Sequence, residues 1–319
     1  MKLKEIYETA LKMGIKADPR GKKGIEKLLA RNKEQYKDLK PDEKELFDQD
    51  KLSNPYADSR ILVGDPEMEV TGILTGIDLE VQEILLADRL NQKGKKINLL
   101  LAHHPEGKAL ATLSDVMAMQ ADVWANQGVP VNVGDVLIGK RMRDVFRALQ
   151  PVNHNRAIDA ARLLGFAFMC VHTPADNLVT SYLQKLINEK EPYLVKDIMK
   201  ILKEIPEYKQ ATQIGNAPMI LVGDGEKRVG KVLVDMTGGT EGPAEALEKL
   251  SQAGVGTLVG MHLKDELRKK AEDNQLNVVL GGHIASDAIG LNHFLDKIEE
   301  KGVEIIPCSG LYRVRRSQR

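Results

Sequence analysis

The chain has 319 residues, 46 basic and 46 acidic side chains and a hydrophobic fraction of 42%, enough for a sizeable core in one large or two modest domains. A formal net charge of zero and an aromatic content of 4% give no global pull toward nucleic acid or an anionic membrane and no base-stacking platform. No apolar run approaches the roughly 18–20 residues of a membrane helix, MKLKEIYETALKMG lacks the apolar stretch of a signal peptide, and Cys170 and Cys308 form no Cys-x-x-Cys pair. The expectation is a cytoplasmic protein with no nucleic-acid or membrane partner and no disulfide framework.

Residues 1–60 read as a charged helical extension, with 12 basic and 6 acidic residues in the first 40. Its clearest helix runs from about Gly21 to Leu39, with Ile25, Leu28, Leu29 and Tyr36 near helical spacing. Asn54-Pro55 and Asp65-Pro66 punctuate the exit. A first α/β lobe follows over residues 61–205. GILTGIDL reads as a strand, EVQEILLADRLNQKG as a helix and INLLLAHHP as a buried strand without alternation. The helical stretch TLSDVMAMQADVWANQG leads to VPVNVGDVLIG, and RAIDAARLLG leads to the strand FAFMCVH. Cys170, inside that apolar run, reads as core. A helix after Thr173-Pro174 carries Leu178, Leu183 and Ile187.

A second lobe over residues 206–319 repeats the alternation. KVLVDM, VGTLVGMH, NVVLGGH and VEIIPCS are its strands, with helices from Ala244, Leu263 and Ser286. The pattern predicts an α/β fold of two similar lobes with mostly parallel sheets. The basic tail RVRRSQR reads as disordered.

Five of seven histidines stand at the carboxyl end of an apolar strand: His103, His104, His172, His262 and His283. Ligands of open α/β sheets bind outside those ends, and imidazole favours divalent transition metals. Asp176 follows His172 and Asp287 follows His283 at i+4, on one face of a helical turn. Asp176 also fits a capping box begun by Thr173, and Asp287 fits a first-turn acid; capping and ligation are compatible because a carboxylate has two oxygens. His103 and His104 would point to opposite sides of an extended strand, but Pro105 ends it, and adjacent histidines at a turn can serve two neighbouring metals. Such a nitrogen/oxygen set suits zinc, manganese, iron, cobalt or nickel. The turn Gly238-Gly239-Thr240, between a strand and a helix, offers amides to an anionic group or is a plain turn. Gly223, Gly225 and Gly230 precede a strand, so they form no nucleotide fingerprint.

LLLAHHP, VHTPADN and VVLGGHIASD, in this order, resemble the motifs of the NGG-interacting-factor-three-like proteins, dinuclear-metal proteins often labelled GTP cyclohydrolase I type 2 homologs. The resemblance covers roughly Val70 to Pro307, with the GID segment around Asp78 and the TGGTEG turn. It implies a two-lobed subunit with metals between the lobes and a ring-shaped homohexamer. Position by position, it implies two divalent transition metal ions held by His103, His104, Asp176, His283 and Asp287, with Asp176 as bridge and His172 and Asp78 orienting ligands. The sequence departs from the family at Asp287, where glutamate is usual, at Glu106-Gly107, in the longer spacer from His104 to His172, and in the first 60 residues.

The resulting expectation is a metal-dependent hydrolase of a small nucleotide-like or phosphorylated, anionic substrate, with His172 or Glu106 moving protons. The alternative is a non-enzymatic protein that stores, delivers or senses metal, or a scaffold organised by it.

Overall fold

A computed structural model describes residues 1–316. It has the expected α/β architecture of two lobes, each around a mostly parallel sheet. The first sheet contains β1 (Arg60–Val63), β2 (Gly72–Gly76), β3 (Leu99–Ala102), β4 (Ala167–Cys170) and β9 (Glu304–Pro307) in the order β1-β4-β3-β2-β9. The second contains β5 (Met219–Val222), β6 (Lys231–Asp235), β7 (Val255–Gly260) and β8 (Asn277–Leu280) in the order β5-β8-β7-β6. In each, the first strand of the lobe runs antiparallel to the last of three parallel strands. The two sheets therefore share one plan, to which β9 is added beside β2. β2, β3 and β4 are buried at every position, which is why they read as apolar runs without alternation.

Two helices form the layer between the sheets. Thr173–Lys190 follows β4 and His283–Glu299 follows β8. Ala175, Ala288, Leu291 and Phe294 join the core of the first sheet, while Val179, Leu183, Ala285 and Ile289 join a core of the second. A helix apolar around its circumference is one that is buried on all sides. The helices touch closely at Gly290, where a Cβ would run into the Ala175 carbonyl oxygen.

The structure redraws the partition expected from the sequence. The helix Leu3–Ala17 is no appendage: Leu3, Ile6 and Ala10 belong to the core of the first sheet. Its scattered lysines and glutamates mask an apolar face made by Leu3, Ile6, Ala10, Leu11 and Gly14. The helix Gly21–Asp38 lies close to its expected place and buries only Ile25. VPVNVGDVLIG begins the helix Val131–Leu149 instead of standing where the alternation would put a strand. That helix packs Ile138 and Val145 into a core with Leu247, Leu250 and Leu258 of the second sheet. β9, from the end of the second lobe, lies in the first sheet. The lobes thus interleave across the boundaries at 60 and 205.

The basic tail is anchored as far as it is described. Arg313 Nη2 lies 2.5 Å from Asp296, Arg315 Nε 2.8 Å from Glu299 and Arg316 Nη2 2.7 Å from Glu207. Ser317, Gln318 and Arg319 lie outside the described residues. Beside Arg316, the His293 ring meets Tyr182 at 4.9 Å between centroids, and its buried Nε2 has no hydrogen-bond partner. Burial, aided by the Arg316 charge, pushes the His293 pKa down to about 4. The folded chain then takes up this proton only near that pH, whereas the unfolded chain takes it up near 6.5. Stability is full above 6.5 and falls as pH drops toward 4, by about 2 kcal/mol at pH 5 for this group. His293→Gln should reduce the loss of Tm between pH 7 and pH 5; an equal loss in both proteins would refute the assignment.

Candidate metal centre

Both sheets direct the carboxyl ends of their parallel strands at one cavity of about 390 Å³. Beyond the end of β3, His103 N donates to the Gly76 carbonyl (3.0 Å) and His104 N to that of Ile77 (2.9 Å). This ladder holds the double histidine at the sheet's edge, and its rings converge with centroids 5.2 Å apart.

Hydrogen bonds on the far side of three rings fix which nitrogen faces the cavity. His103 Nδ1 lies 3.0 Å from the Val171 carbonyl oxygen, which can only accept. His172 Nδ1 donates to Asp58 Oδ2 at 2.8 Å and His104 Nδ1 to Asp78 Oδ1 at 2.6 Å. Each neutral ring therefore turns an unprotonated Nε2 inward. His104 Nε2 lies 3.3 Å from His283 Nε2. Asp176 Oδ1 lies 3.4 Å from His103 Nε2. Asp287 stands at the centre, with Oδ1 3.4 Å from His103 Nε2 and Oδ2 3.5 Å from His104 Nε2 and 3.4 Å from His283 Nε2.

The structure thus brings His103, His104, Asp176, His283 and Asp287 together, and adds His172. Three overlapping groups have ligand atoms mutually within 4.8 Å: His103, His104 and His172; His104, His283 and Asp287; His103, Asp176 and Asp287. His103 is 0%, Asp287 1% and Asp176 4% exposed. Even so, His103 Nε2, Asp176 Oδ1 and both Asp287 oxygens have no hydrogen-bond partner. Leaving one such atom unsatisfied costs about 1–3 kcal/mol, more when it is charged. Four gathered at one point, all lone-pair donors, fit a bound cation. These buried His/Asp groups can hold metal ions.

Without a cation, protons take that place. Burial alone would lower the pKa of His103, but Asp287 and Asp176 hold it well above the ordinary value. For His104, Asp287 and Asp78 overcome burial and bring the pKa up to about 9. The Asp287 carboxyl, which burial would raise, is held far below the ordinary range by the histidines. His283 is lowered, by burial first and then by the neighbouring histidines.

Asp58 was not singled out from the sequence. It is 0% exposed and accepts from His172 and from Thr173 Oγ1 (2.6 Å). Burial would raise its pKa, yet the His172 hydrogen bond and charge keep it below the ordinary value. Only the pairing of β1 with β4, in which Arg60 faces Cys170, brings it to the site; no local spacing announces it. Thr173 bonds Asp58 by its side chain and makes no side-chain cap, so the capping-box reading of Thr173 to Asp176 does not hold.

Glu106 lines the cavity, and burial, with the charge of Glu80, pushes its pKa up to about 7. His262 remains at the rim, its side chain 48% exposed and its Nδ1 2.9 Å from Glu241. The turn Gly238-Gly239-Thr240 is tied down by Gln120, whose Nε2 donates to the carbonyls of Gly238 and Thr240 at 2.7 Å each. Gly238 and Gly239 have φ of 94° and 84°, and a Cβ on either would strike Gln120 or Val116. Close passage of the turn over Gln120 of the helix Met119–Gln127, and over Val116 of the short helix before it, accounts for both glycines. Gly239 and Thr240 border the cavity.

The fold is similar to that of a NIF3 superfamily protein from Sphaerobacter thermophilus, with a TM-score of 0.70 and 27% identity, covering 80% of this chain and 92% of that one. It is also similar in fold to reduced HcgD from Methanocaldococcus jannaschii, with a TM-score of 0.54 and 15% identity, covering 83% of this chain and 94% of that one. No protein-family model and no curated protein matches the chain.

Proposed function

The chain belongs to the NIF3 superfamily, and from that membership we propose that it is a metal-dependent hydrolase. In this reading two divalent transition metal ions are held by His103, His104, His172, Asp176, His283 and Asp287. The observation that carries it is the set of buried, unpartnered lone-pair atoms around Asp287. Bound there, such ions would supply Lewis acidity and lower the pKa of water toward neutrality.

The chain's own residues do the rest. Asp58, Asp78 and the Val171 carbonyl keep three imidazoles in one tautomer and orientation. Glu106, with a pKa near neutrality, is suited to accept and return a proton within the cavity. His172, proposed as a ligand, is no longer needed for that task. The resemblance implies a nucleotide-like or phosphorylated substrate and, by the family label, GTP ring opening. Gly239 and Thr240 are where its anionic group would rest, while the apolar wall beyond suits a ring.

Bracing of the ligands also suits a protein that stores, delivers or senses metal, and a turnover screen separates the two. His103→Ala should abolish both metal retention and hydrolysis of GTP and simple phosphate esters by metal-loaded protein. Elemental analysis should find about two equivalents per chain in the wild type. A variant fully active without metal would overturn the hydrolase reading. No turnover with fast metal exchange would favour the carrier.

Two further proposals follow from the family. A homohexamer is supported by Leu85 and Leu163, 54% and 86% exposed on neighbouring helices. A cytoplasmic setting is supported by the free thiols of Cys170 and Cys308. No helix among the described residues is long and apolar enough to cross a membrane.

A further inference from the structure

Four imidazoles stand in file from the rim of the cavity to its buried end. The ring of His262, just past the end of β7, has its centroid 4.7 Å from that of His283. His283 is 5.1 Å from His104, and His104 is 5.2 Å from His103. Side-chain exposure falls along the file, from 48% at His262 to 40% at His283, 26% at His104 and 0% at His103. Among the described residues, the three groups of converging ligand atoms do not include His262, so it stands outside the centre itself.

His262 is nevertheless braced as the ligands are. Its Nδ1 lies 2.9 Å from Glu241 Oε1, as His104 Nδ1 faces Asp78 and His172 Nδ1 faces Asp58. A carboxylate only accepts, so the neutral ring carries its proton on Nδ1 and keeps a lone pair on Nε2. The brace is itself fixed: Arg141 Nε donates to the Glu241 carbonyl at 3.1 Å, and Lys264 N donates to Glu241 Oε1 at 3.1 Å. The Glu241 side chain is only 7% exposed, yet its Oε2 is buried with no hydrogen-bond partner among the described residues. The Lys264 ammonium lies 3.5 Å from it, on a side chain 66% exposed. Burying a carboxylate oxygen without a donor is costly, and a cation arriving at the rim offsets that cost.

We propose that His262 and Glu241 form an entry site for divalent metal ions, at which an ion from solvent binds His262 Nε2 before passing to His283 and the centre. His103, Asp176 and Asp287 are almost wholly buried, so a hydrated ion cannot reach them with its shell intact. An imidazole at the rim lets the ion exchange water for nitrogen one ligand at a time. The inference takes from the proposed function only that the centre binds divalent metal; it holds whether the centre hydrolyses or carries. An entry site lies on the route in both directions. Its loss slows binding and release by the same factor and leaves affinity unchanged, whereas loss of a ligand of the centre weakens affinity, mostly through faster release.

The test uses the full-length protein and zinc alone. Stopped flow with a chromogenic chelator follows loading of metal-free protein, and transfer to excess chelator follows release. His262→Gln, which keeps the bulk of the side chain and removes the imidazole, should slow loading and release about tenfold each. Its zinc content and Kd should stay within about twofold of the wild type. Glu241→Gln should slow both steps by a smaller factor, and Lys264→Met, which removes the ammonium facing Oε2, should speed both. A His262→Gln protein with wild-type rates overturns the proposal. So does one that releases zinc faster and holds less of it, which would make His262 a ligand of the centre. Phosphate-ester turnover, measured on the same samples, keeps the two readings apart. Slowed exchange in His262→Gln without turnover by the wild type defeats the hydrolase and leaves the entry site standing; turnover with unchanged exchange does the reverse.

Discussion

Asp287→Ala should abolish the rise in Tm that zinc or manganese produces in the wild-type chain. Both oxygens of Asp287 are buried and unpartnered, and they lie within 3.5 Å of three imidazoles. Residues that merely support metal ligands contribute 10–100-fold to affinity, so loss of this carboxylate should cost more than about 100-fold. Metal at about a thousand times its dissociation constant stabilises a fold by about 4 kcal/mol, and that increment should vanish. The metal-free proteins should differ in the opposite pH range from His293. In the wild type, the His104 pKa is raised to about 9, above the unfolded value near 6.5. The stability this contributes is complete below 6.5 and is lost as pH rises through 9, on the order of 2–3 kcal/mol. Without Asp287 that alkaline loss should shrink. Thermal melts with metal and with chelator, at pH 6, 7.5 and 9, test both parts. A variant that keeps the metal-dependent rise would remove Asp287 from the ligand set.

The second large effect concerns a residue that carries no chemistry. Gly290→Ala should destabilise the fold by about 3 kcal/mol or more, although glycine to alanine in an open helix normally stabilises by up to about 1 kcal/mol. The sign reverses because a Cβ at 290 would press into the backbone of Ala175 on the facing helix. Asp176 is the next residue on that helix, and Asp287 lies three residues before Gly290 on its own helix. Separating the helices therefore separates two of the carboxylates that face the cation site. Metal affinity should fall together with stability. Gly139→Ala is the matched control: its Cβ would meet only the flexible end of Arg143, at 3.8 Å, and stability should hold or rise slightly. Denaturant melts of both variants check the pair; a Gly290→Ala protein as stable as the control would show that the two helices can part without cost.

The alternation of apolar strands and helices was legible because buried parallel strands are continuous apolar runs. The site was legible because histidines recur at their carboxyl ends. Two kinds of feature were not. The helix Leu3–Ala17 carries enough charge to read as solvated, although its apolar face completes the main core. The run VPVNVGDVLIG is rich in β-branched residues, yet tertiary burial of Ile138 and Val145 makes it helical, an override of a weak propensity. Asp58 and the return of β9 to the first sheet depend on contacts distant in sequence. No local spacing encodes them. Of the two aspartates, each also read as a simple helix-end acid, Asp287 proves central, facing three imidazoles, while Asp176 meets His103 without belonging to a cap.

The two lobes repeat one strand order yet contribute differently to the site. Each lobe ends its parallel strands in a histidine, an aspartate four residues on, and a helix that crosses to the other lobe: His172 and Asp176 in one, His283 and Asp287 in the other. The shares are unequal all the same: the first lobe also brings His103 and His104 to the cluster, whereas His262, at the end of β7 in the second, stays at the rim beside Glu241. Here the first half braces its histidine with buried Asp58, while the second leaves His283 facing the cavity with its carboxylate at the centre. Two lobes of one plan in a single chain thus divide the work, one holding and the other meeting what enters.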